Sequence, residues 1–496
     1  MIFVIVAVLI GTCHSQFSRN SRFCPEDPAT RLLLAKNKMD FALKLLKHSS
    51  AFNESSFLSP FTIITALSVL YQGAGSDIQS EMTTLDGGQF AQIFGNLGHC
   101  ISSSTTNAEG ELSQEDSTFG ESAKLWMEKD FPMNPNFRST IVTFHDMTIE
   151  EIKFMRKRDY IVAQKAARWL KKNDHGRTNN VIFINFDFWL FFVKELHFEA
   201  KWKYQFLPLD IETNFDLSPT ETINLPMMRK TEKFPFYEDE NVEVISLPFE
   251  KFQMQMIIIL PKLINGLEEL EMELTGEKLN NYIDSLVINE MTVIIPKIST
   301  RKEFELSDGL EKMGLQSIFN ESANFNDISD QTLFVTKHIG NVASMKITEE
   351  GINIKSTNTS SKDIEMLDYD LYSPTIRIFD ATHPFLYVIS DNQKNILWIG
   401  RYIGINDKLP TGEKMNEENM DMESEDEDKF GEEEEEEMES DEEMDCDDDD
   451  IESLLESDEY QDLQAELGDI NLDDNFMNID CDNIMNDNDV DNDKNE

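Results

Sequence analysis

The residue types that perform catalysis are present in this chain, but not at spacings that assemble an active site. Among 496 residues there are eight histidines, and none lies in a Ser/His/Asp, His-Glu-x-x-His or glycine-rich phosphate-binding pattern. The four cysteines after residue 15 match no metal-ligand spacing and are too few for a disulfide scaffold. The sequence therefore predicts a protein that is not an enzyme and that has no cofactor and no defined metal-ligand site.

Two other kinds of chemistry are indicated by residue type. Asn-x-Ser/Thr triplets at Asn53, Asn320 and Asn358 are acceptors for N-glycosylation in an exported protein. The segment after Met415 contains 39 acidic residues and only two lysines. Dense carboxylates attract basic proteins and bind Ca²⁺ weakly, although no regular EF-hand loop is present. A basic protein or Ca²⁺ is therefore the predicted partner of this segment.

Charge and hydropathy limit the other partners and the compartment. The formal net charge of -52 disfavours nucleic acid and anionic membranes, because both are bound by clustered Lys and Arg. A short apolar run at residues 2–10 predicts a signal peptide at 1–15, cleaved after Ser15. No later run reaches the roughly 18 apolar residues of a membrane span. We predict a monomer secreted to the extracellular space.

Apolar periodicity predicts the elements that must position any site. Residues 28–46 and 63–71 have helical spacing, and the second helix is opened by Ser59-Pro60 and closed at Gly73. Runs rich in β-branched and aromatic residues predict strands at 181–184, 242–247, 254–260, 291–298 and 333–337. Helices followed by strands are typical of the α+β class.

The last part of the chain, residues 407–496, has a different composition. Like-charge blocks at 432–437 and 447–450 repel themselves and stay solvated, which predicts a disordered acidic tail. Residues 451–472 place some apolar side chains near helical spacing. The alternative is therefore a helix that forms there on a basic partner.

Four blocks of the sequence resemble the serpin family, in the family's order. The early serpin helix, with its Ser-Pro start and Tyr-x-Gly-Ala close, is matched by FLSPFTIITALSVLYQGAGSDIQSEM. The Trp-bearing helix end before a central strand is matched by ARWLKKNDHGRTNNVI. A later sheet and helix resemble FYEDENVEVISLPFEKFQMQMIIILPK and GLEELEMELTGEKL, and the final strand pair resembles FDATHPFLYVISDNQKNILWIGRY. The chain is identified as a member of the family over roughly residues 30–404.

The resemblance implies the serpin fold in a domain at 28–406, with three β-sheets, eight to nine helices and an exposed reactive-centre loop at about 351–374. In this family a serine protease cleaves the loop, whose first part then inserts into a sheet as a new strand and distorts the acyl-bound protease. The hinge of insertion is expected at Glu349, Glu350, Gly351, Ile352, Asn353 and Ile354.

The scissile bond is expected after Glu365, counted forward from Gly351, or near Ser373, counted back from Pro384. A chymotrypsin- or elastase-like protease would be served by Met366, Leu367, Tyr369, Leu371 and Tyr372. An acid-directed protease would instead use Glu365 or Asp368. Because the window contains no Arg or Lys, a trypsin-like target is disfavoured.

The loop departs from the pattern of inhibitory serpins. Alternate side chains of an inserted strand face the core, which places Ile352, Ile354, Ser356 and Asn358 inward. Inhibitory members have Thr or Ser in place of Ile352 and small residues at 354–357, so the isoleucines predict slow insertion. A glycan on Asn358 would block complete insertion.

The strands that would receive the loop also depart from the family. The apolar insertion FDFWLFFVK, at 186–194, interrupts the predicted central strand and is expected to disrupt its register. It is either a bulge that would harm sheet opening or an artefact of the gene model. The strand leading to the loop has Gly340-Asn341 where the family favours His-Lys.

Two functions are therefore predicted. The first is an extracellular serine-type endopeptidase inhibitor that acts by suicide-substrate loop insertion on a target serine protease. The second is a non-inhibitory serpin that acts as a carrier or binding scaffold, with its tail binding basic proteins or Ca²⁺. A stable complex after loop cleavage distinguishes the first from the second.

Overall fold

The computed structural model describes residues 28–85, 118–145, 147–153, 165–166, 168–170, 180–186, 189–209, 213–320, 322–331, 339–353 and 376–404. Several sequence predictions lie outside these residues. They are the signal peptide at 1–15, the strand at 333–337, Ile354, Asn358, the scissile window at 365–373 and the tail at 407–496.

Residues 165–166 and 168–170 are helical, and the described part of the chain also contains seven α-helices and one 3₁₀ helix. They are α1 (Pro28–Ser49), α2 (Pro60–Gly73), α3 (Ser76–Leu85), α4 (Pro135–Phe144), α5 (Leu267–Glu273), α6 (Gly276–Asp284), α7 (Ser307–Lys312) and the 3₁₀ helix Ser317–Phe319. The first two confirm the predicted helices. Helix α2 begins at its predicted position because Ser59 Oγ accepts a hydrogen bond from the Thr62 amide at 3.2 Å.

The strands are β1 (Ser56–Leu58), β2 (Thr118–Glu128), β3 (Thr148–Ile152), β4 (Asn180–Phe186), β5 (Leu190–Lys201), β6 (Leu207–Pro208), β7 (Thr213–Ser218), β8 (Glu221–Leu225), β9 (Met227–Glu238), β10 (Val242–Pro248), β11 (Met254–Pro261), β12 (Val287–Pro296), β13 (Ile298–Glu305), β14 (Ile339–Ile347), β15 (Gly351–Ile352), β16 (Arg377–Asp380), β17 (Phe385–Asp391) and β18 (Ile396–Tyr402). The run predicted as one strand at 291–298 is divided. Strand β12 ends at Pro296 and β13 begins at Ile298, and the Lys297 amide between them donates to the Pro226 carbonyl at 3.0 Å.

The described strands form three sheets. A nine-stranded sheet has the order β1-β18-β17-β11-β10-β9-β12-β16, with β6 paired to β9. A seven-stranded sheet has the order β13-β14-β15-β5-β2-β3, with β4 paired to both β14 and β5, and β7 and β8 form the third sheet. Three sheets with separate helices confirm the predicted α+β class.

Helix α2 lies in the hydrophobic core and positions the two large sheets. It is buried along most of its length and packs against β18, β4 and β5. The apolar side chains of both large sheets meet in one continuous core cluster around it. None of the described helices has both the length and the apolar character needed to cross a bilayer.

A buried ion pair joins α5 to β18. Arg401 Nε lies 2.8 Å from Glu271 Oε1, and both side chains are almost inaccessible to solvent. The same guanidinium donates to Ser50 Oγ at 3.1 Å and to the carbonyls of Leu46 and Ala51. Burial raises the pKa of Glu271 to about 7, although Arg401 acts in the opposite direction. This carboxylate therefore depends on its partner whenever it is ionised.

Candidate functional site

The predicted hinge lies in the middle of the seven-stranded sheet as the short strand β15. Ile352 pairs with Ile347 of β14 and with Ala200 of β5, while Gly351 pairs with Lys201. Gly351 fits because it has no side chain: a Cβ there would lie 2.0 Å from the Ala200 carbonyl oxygen. We call the line of strand positions between β14 and β5 the slot. Strand β15 occupies the end of the slot beside Lys201, which we call its upper end and the top of the sheet.

The two glutamates before β15 anchor the hinge. The Trp202 amide donates to the Glu350 carbonyl, and the Phe206 amide donates to the Glu349 carbonyl, both at 3.0 Å. The Glu349 carboxylate also lies 2.5 Å from Lys297 Nζ. These contacts hold the chain at the top of the sheet just before it turns into the slot.

Asn353 is the last hinge residue that the structure describes. This residue has a φ of +54°, so the chain leaves the extended conformation directly after Ile352. Asn353 Oδ1 accepts a hydrogen bond from the Lys346 amide at 2.7 Å, and Nδ2 donates to the Phe198 carbonyl at 3.0 Å. The side-chain amide thus bridges β14 and β5 across the slot, and Gly351 and Ile352 are the described hinge residues that form strand pairs.

The lower part of the same slot is occupied by β4. This strand pairs antiparallel with β14, from Ile184 opposite Ile339 to Asn180 opposite Ala343. It also pairs antiparallel with β5, from Asn180 opposite Leu196 to Phe186 opposite Leu190. Strand β15 is antiparallel to the same two neighbours. Strands β4 and β15 therefore run in the same direction, one above the other.

The register identifies which loop positions β4 takes. Each residue of an inserted strand advances one position along each neighbour. Starting from Ile352, opposite Ala200 and Ile347, position 356 would lie opposite Leu196 on β5 and Ala343 on β14. Both of those residues are already partners of Asn180. Insertion positions 356–362 are therefore held by β4, and only 353–355 lie between the two strands.

The side chains of β4 are buried on both faces of the sheet. Ile182 and Ile184 are fully buried in the core, whereas Val181 and Phe183 are each 9% exposed. Phe183 begins a row of aromatic rings: its centroid lies 6.4 Å from that of Phe191. The row continues from Phe191 to Trp126 at 6.3 Å and from Trp126 to Trp169 at 5.9 Å. Strand β4 is thus packed as an integral strand.

Both residues of the Gly340-Asn341 departure contact β4. A Cβ on Gly340 would lie 2.0 Å from Phe183 Cζ, so the Phe183 ring occupies the space that any side chain at position 340 needs. The buried Asn341 Nδ2 donates to the Val181 carbonyl at 2.9 Å. The departures on β14 and the insertion before β5 are therefore parts of one structural feature.

The expectation that the insertion disrupts the central strand's register was wrong. The added residues let the chain double back as a hairpin, so that each segment keeps its own pairing. The first part of β5 pairs with β2 without interruption, from Leu190 opposite Met127 to Lys194 opposite Ala123. Lys194 is buried and lies 2.9 Å from Glu121 Oε2. The signal that could have revealed the hairpin is the short break, around Asp187, between two apolar runs.

The remaining predicted site residues are distributed over the surface or lie outside the described residues. Asn53 and Asn320 are exposed, and their glycosylation stays a prediction. Among the described residues, no group of three or more His, Cys, Asp or Glu side chains is arranged to hold a metal ion.

Comparison with known proteins gives a consistent set of relatives. A family model described as Serpin (serine protease inhibitor) matches residues 36–405. Ovalbumin-related protein Y of Gallus gallus is 26% identical over 372 residues, which cover 71% of this chain and 93% of that protein. The leukocyte elastase inhibitor of Bos taurus is 26% identical over 381 residues, which cover 73% of this chain and 96% of the inhibitor.

Solved structures show the same fold. A loop-inserted, cleaved ovalbumin mutant has a TM-score of 0.61 at 20% identity, covering 75% of this chain and 100% of that one. Thyroxine-binding globulin in complex with thyroxine has a TM-score of 0.60 at 19% identity, covering 75% of this chain and 99% of that one. Uncleaved ovalbumin has a TM-score of 0.59. Overall likeness therefore does not separate loop-inserted from uncleaved forms.

Proposed function

Since the chain belongs to the serpin family, we propose that it is an exported, non-inhibitory member that acts as a carrier or binding scaffold. The observation that carries the proposal is the presence of β4 in the slot that a cleaved reactive-centre loop would fill. In this account a protease cuts the loop and leaves, because the loop has no room to insert.

The space left in the slot is too short for trapping. Only positions 353–355 remain between β15 and β4. At about 3.3 Å per residue, they allow roughly 10 Å of further insertion. The first predicted scissile position, Glu365, lies three positions beyond 362, so it can follow the loop into the sheet only if positions 356–362, which β4 holds, are inserted first. A protease attached there would stay near the top of the sheet.

Replacing β4 with the loop in the slot is also energetically unfavourable. The loop would place Asn358 and Ser360 where Ile182 and Ile184 are now fully buried. Burying each isoleucine is worth about 1.5–3 kcal/mol, and a buried polar group without a partner costs about 1–3 kcal/mol. Strand β4 is therefore favoured over the loop by several kcal/mol.

The second candidate function is suicide trapping of a chymotrypsin- or elastase-like protease. It is favoured by one observation, the pairing of Gly351 and Ile352 with both β14 and β5, which begins an insertion. It is also in keeping with a relative named leukocyte elastase inhibitor. Trapping would require β4 to leave the slot within the lifetime of the acyl-enzyme.

Export and the acidic tail complete the proposal. The predicted signal peptide and the exposed Asn53 and Asn320 support an extracellular protein. The carboxylates after Met415 suit a basic protein or Ca²⁺ as the partner. Recovery of the expressed chain from the culture medium with Gln16 as its first residue tests export. Calcium titration of the purified protein tests the tail.

The test of the main proposal is incubation with chymotrypsin-like and elastase-like proteases, followed by denaturing gels and intact mass. We expect cleavage within 365–373 without a denaturant-resistant adduct, and a protease that keeps its activity. A matched variant with serine at Met366, Leu367, Tyr369, Leu371 and Tyr372 locates the cut. A stable adduct between the protease and the cut chain would establish trapping instead.

A further inference from the structure

Two segments of this chain could each occupy the same strand positions in the slot of the seven-stranded sheet. Strand β4 holds seven of them, from Asn180 opposite Leu196 to Phe186 opposite Leu190. Residues 356–362 of the loop would take the same seven if insertion continued in the register of Ile352. The neighbouring strands offer both segments the same backbone hydrogen bonds, so side chains must decide between them.

Gly340 distinguishes the two segments by size. Its partner on β4 is Phe183, and the ring lies where a Cβ of residue 340 would stand, 2.0 Å from Cζ and 2.3 Å from Cε2. The loop residue for the same position is Thr359, whose short side chain needs no such space and would leave it unfilled. A glycine at position 340 therefore makes room for Phe183 of β4, whereas Thr359 of the loop would not use that room.

Asn341 contacts the backbone of β4 and not one of its side chains. It is 1% exposed, and its Nδ2 donates to the Val181 carbonyl. Any strand in the slot would present a carbonyl near this point, so Asn341 stabilises occupancy without choosing the occupant. The contact between Gly340 and Phe183 is therefore the one that distinguishes the two possible occupants of the slot.

We propose that Gly340 is a positioning residue that selects β4 over the reactive-centre loop as the occupant of the slot. It does so by admitting the Phe183 ring, which stacks at 20° to Phe191 in the aromatic row. The inference deepens the proposed function and rests on it, since both require β4 in the slot. A side chain at position 340 would force the ring out of this space and weaken the packing of β4.

The test is hydrogen exchange of the full-length protein, followed by mass spectrometry of peptic fragments, for Gly340→Ala. We expect amides in 180–186 to exchange at least about tenfold faster, while β2 and β13 keep their protection. In the double variant Gly340→Ala/Phe183→Ala the clash is absent, so exchange in 180–186 should match that of Phe183→Ala alone. Unchanged protection of 180–186 in Gly340→Ala, or faster exchange in the double variant than in Phe183→Ala, overturns the proposal.

A second comparison covers the case in which Gly340→Ala does not fold. Phe183→Ala removes the ring without adding a clash, and Val181→Ala truncates a neighbouring β4 residue with the same 9% exposure. Selective acceleration of exchange in 180–186 is expected to be several-fold larger for Phe183→Ala than for Val181→Ala. Equal effects overturn the proposal. A protease adduct formed by the wild-type protein would remove the proposed function while leaving the exchange result standing, so the two failures are distinguishable.

Discussion

Replacing Phe192 with alanine is expected to lower the free energy of unfolding by about 3–5 kcal/mol, the usual cost of truncating a buried phenylalanine. Phe192 belongs to the nine-residue insertion, yet its side chain is only 2% exposed. It lies opposite Leu125 of β2 on one side and Ile184 of β4 on the other. Truncation would leave a cavity at the junction of three strands. Urea unfolding of the two proteins measures the difference.

The size of the stability loss in Phe192→Ala distinguishes two placements of residues 186–194, packed within the sheet or extruded from it as a bulge. If residues 186–194 formed an extruded bulge, Phe192 would be solvated and its truncation would change stability by less than about 0.5 kcal/mol. The matched control is Ile288→Ala, an apolar residue that is 68% exposed on β12. Equally small effects for Phe192→Ala and Ile288→Ala would contradict the hairpin and, with it, the filled slot.

Replacing Arg401 with methionine is expected to cost about 3–5 kcal/mol, because it leaves the buried Glu271 carboxylate without its partner. The loss should depend on pH. Burial already raises the pKa of Glu271 to about 7, and removal of the guanidinium raises it further. The folded state then holds a proton that the unfolded state releases, so stability falls as the pH rises toward the folded-state pKa. The difference from wild type should therefore be larger at about pH 8 than at about pH 6.

The control for this prediction removes both charges. In Glu271→Leu/Arg401→Met, no unpaired carboxylate remains, and replacing a buried ion pair with apolar residues of similar volume is often nearly neutral. Thermal unfolding at both pH values compares the three proteins. A single variant whose deficit is independent of pH would show that lost packing of the guanidinium outweighs lost pairing.

The sequence predicts the individual helices and strands of this protein better than it predicts which strand occupies the slot. Apolar spacing locates α1 and α2, and β-branched runs locate β4, β10 and β11, because each of these elements buries a face whose period is visible in its own residues. The strand boundary at Pro296 is missed because the chain changes its pairing partner there, from β9 to β14, and both partners are distant in sequence.

The slot depends on which strands become neighbours, and a local pattern does not carry that information. Residues 181–184 read as a strand in either of two places, beside β2 or beside β14, and only the added residues 190–194 decide between them by taking the place beside β2. Gly340 and Asn341 are visible as departures from the family. Their meaning becomes clear only when Phe183 and Val181 are placed against them.

The most direct test of the filled slot is the thermal stability of the full-length protein before and after a single cut within 365–373. Insertion of a new strand would add buried surface and backbone pairing, whereas a loop excluded by β4 adds neither. We expect the unfolding midpoint to stay within about 2 °C, which corresponds to less than roughly 2 kcal/mol for a domain of this size. A rise of more than about 10 °C, equivalent to several kcal/mol, would show that the loop enters the sheet and would contradict the account.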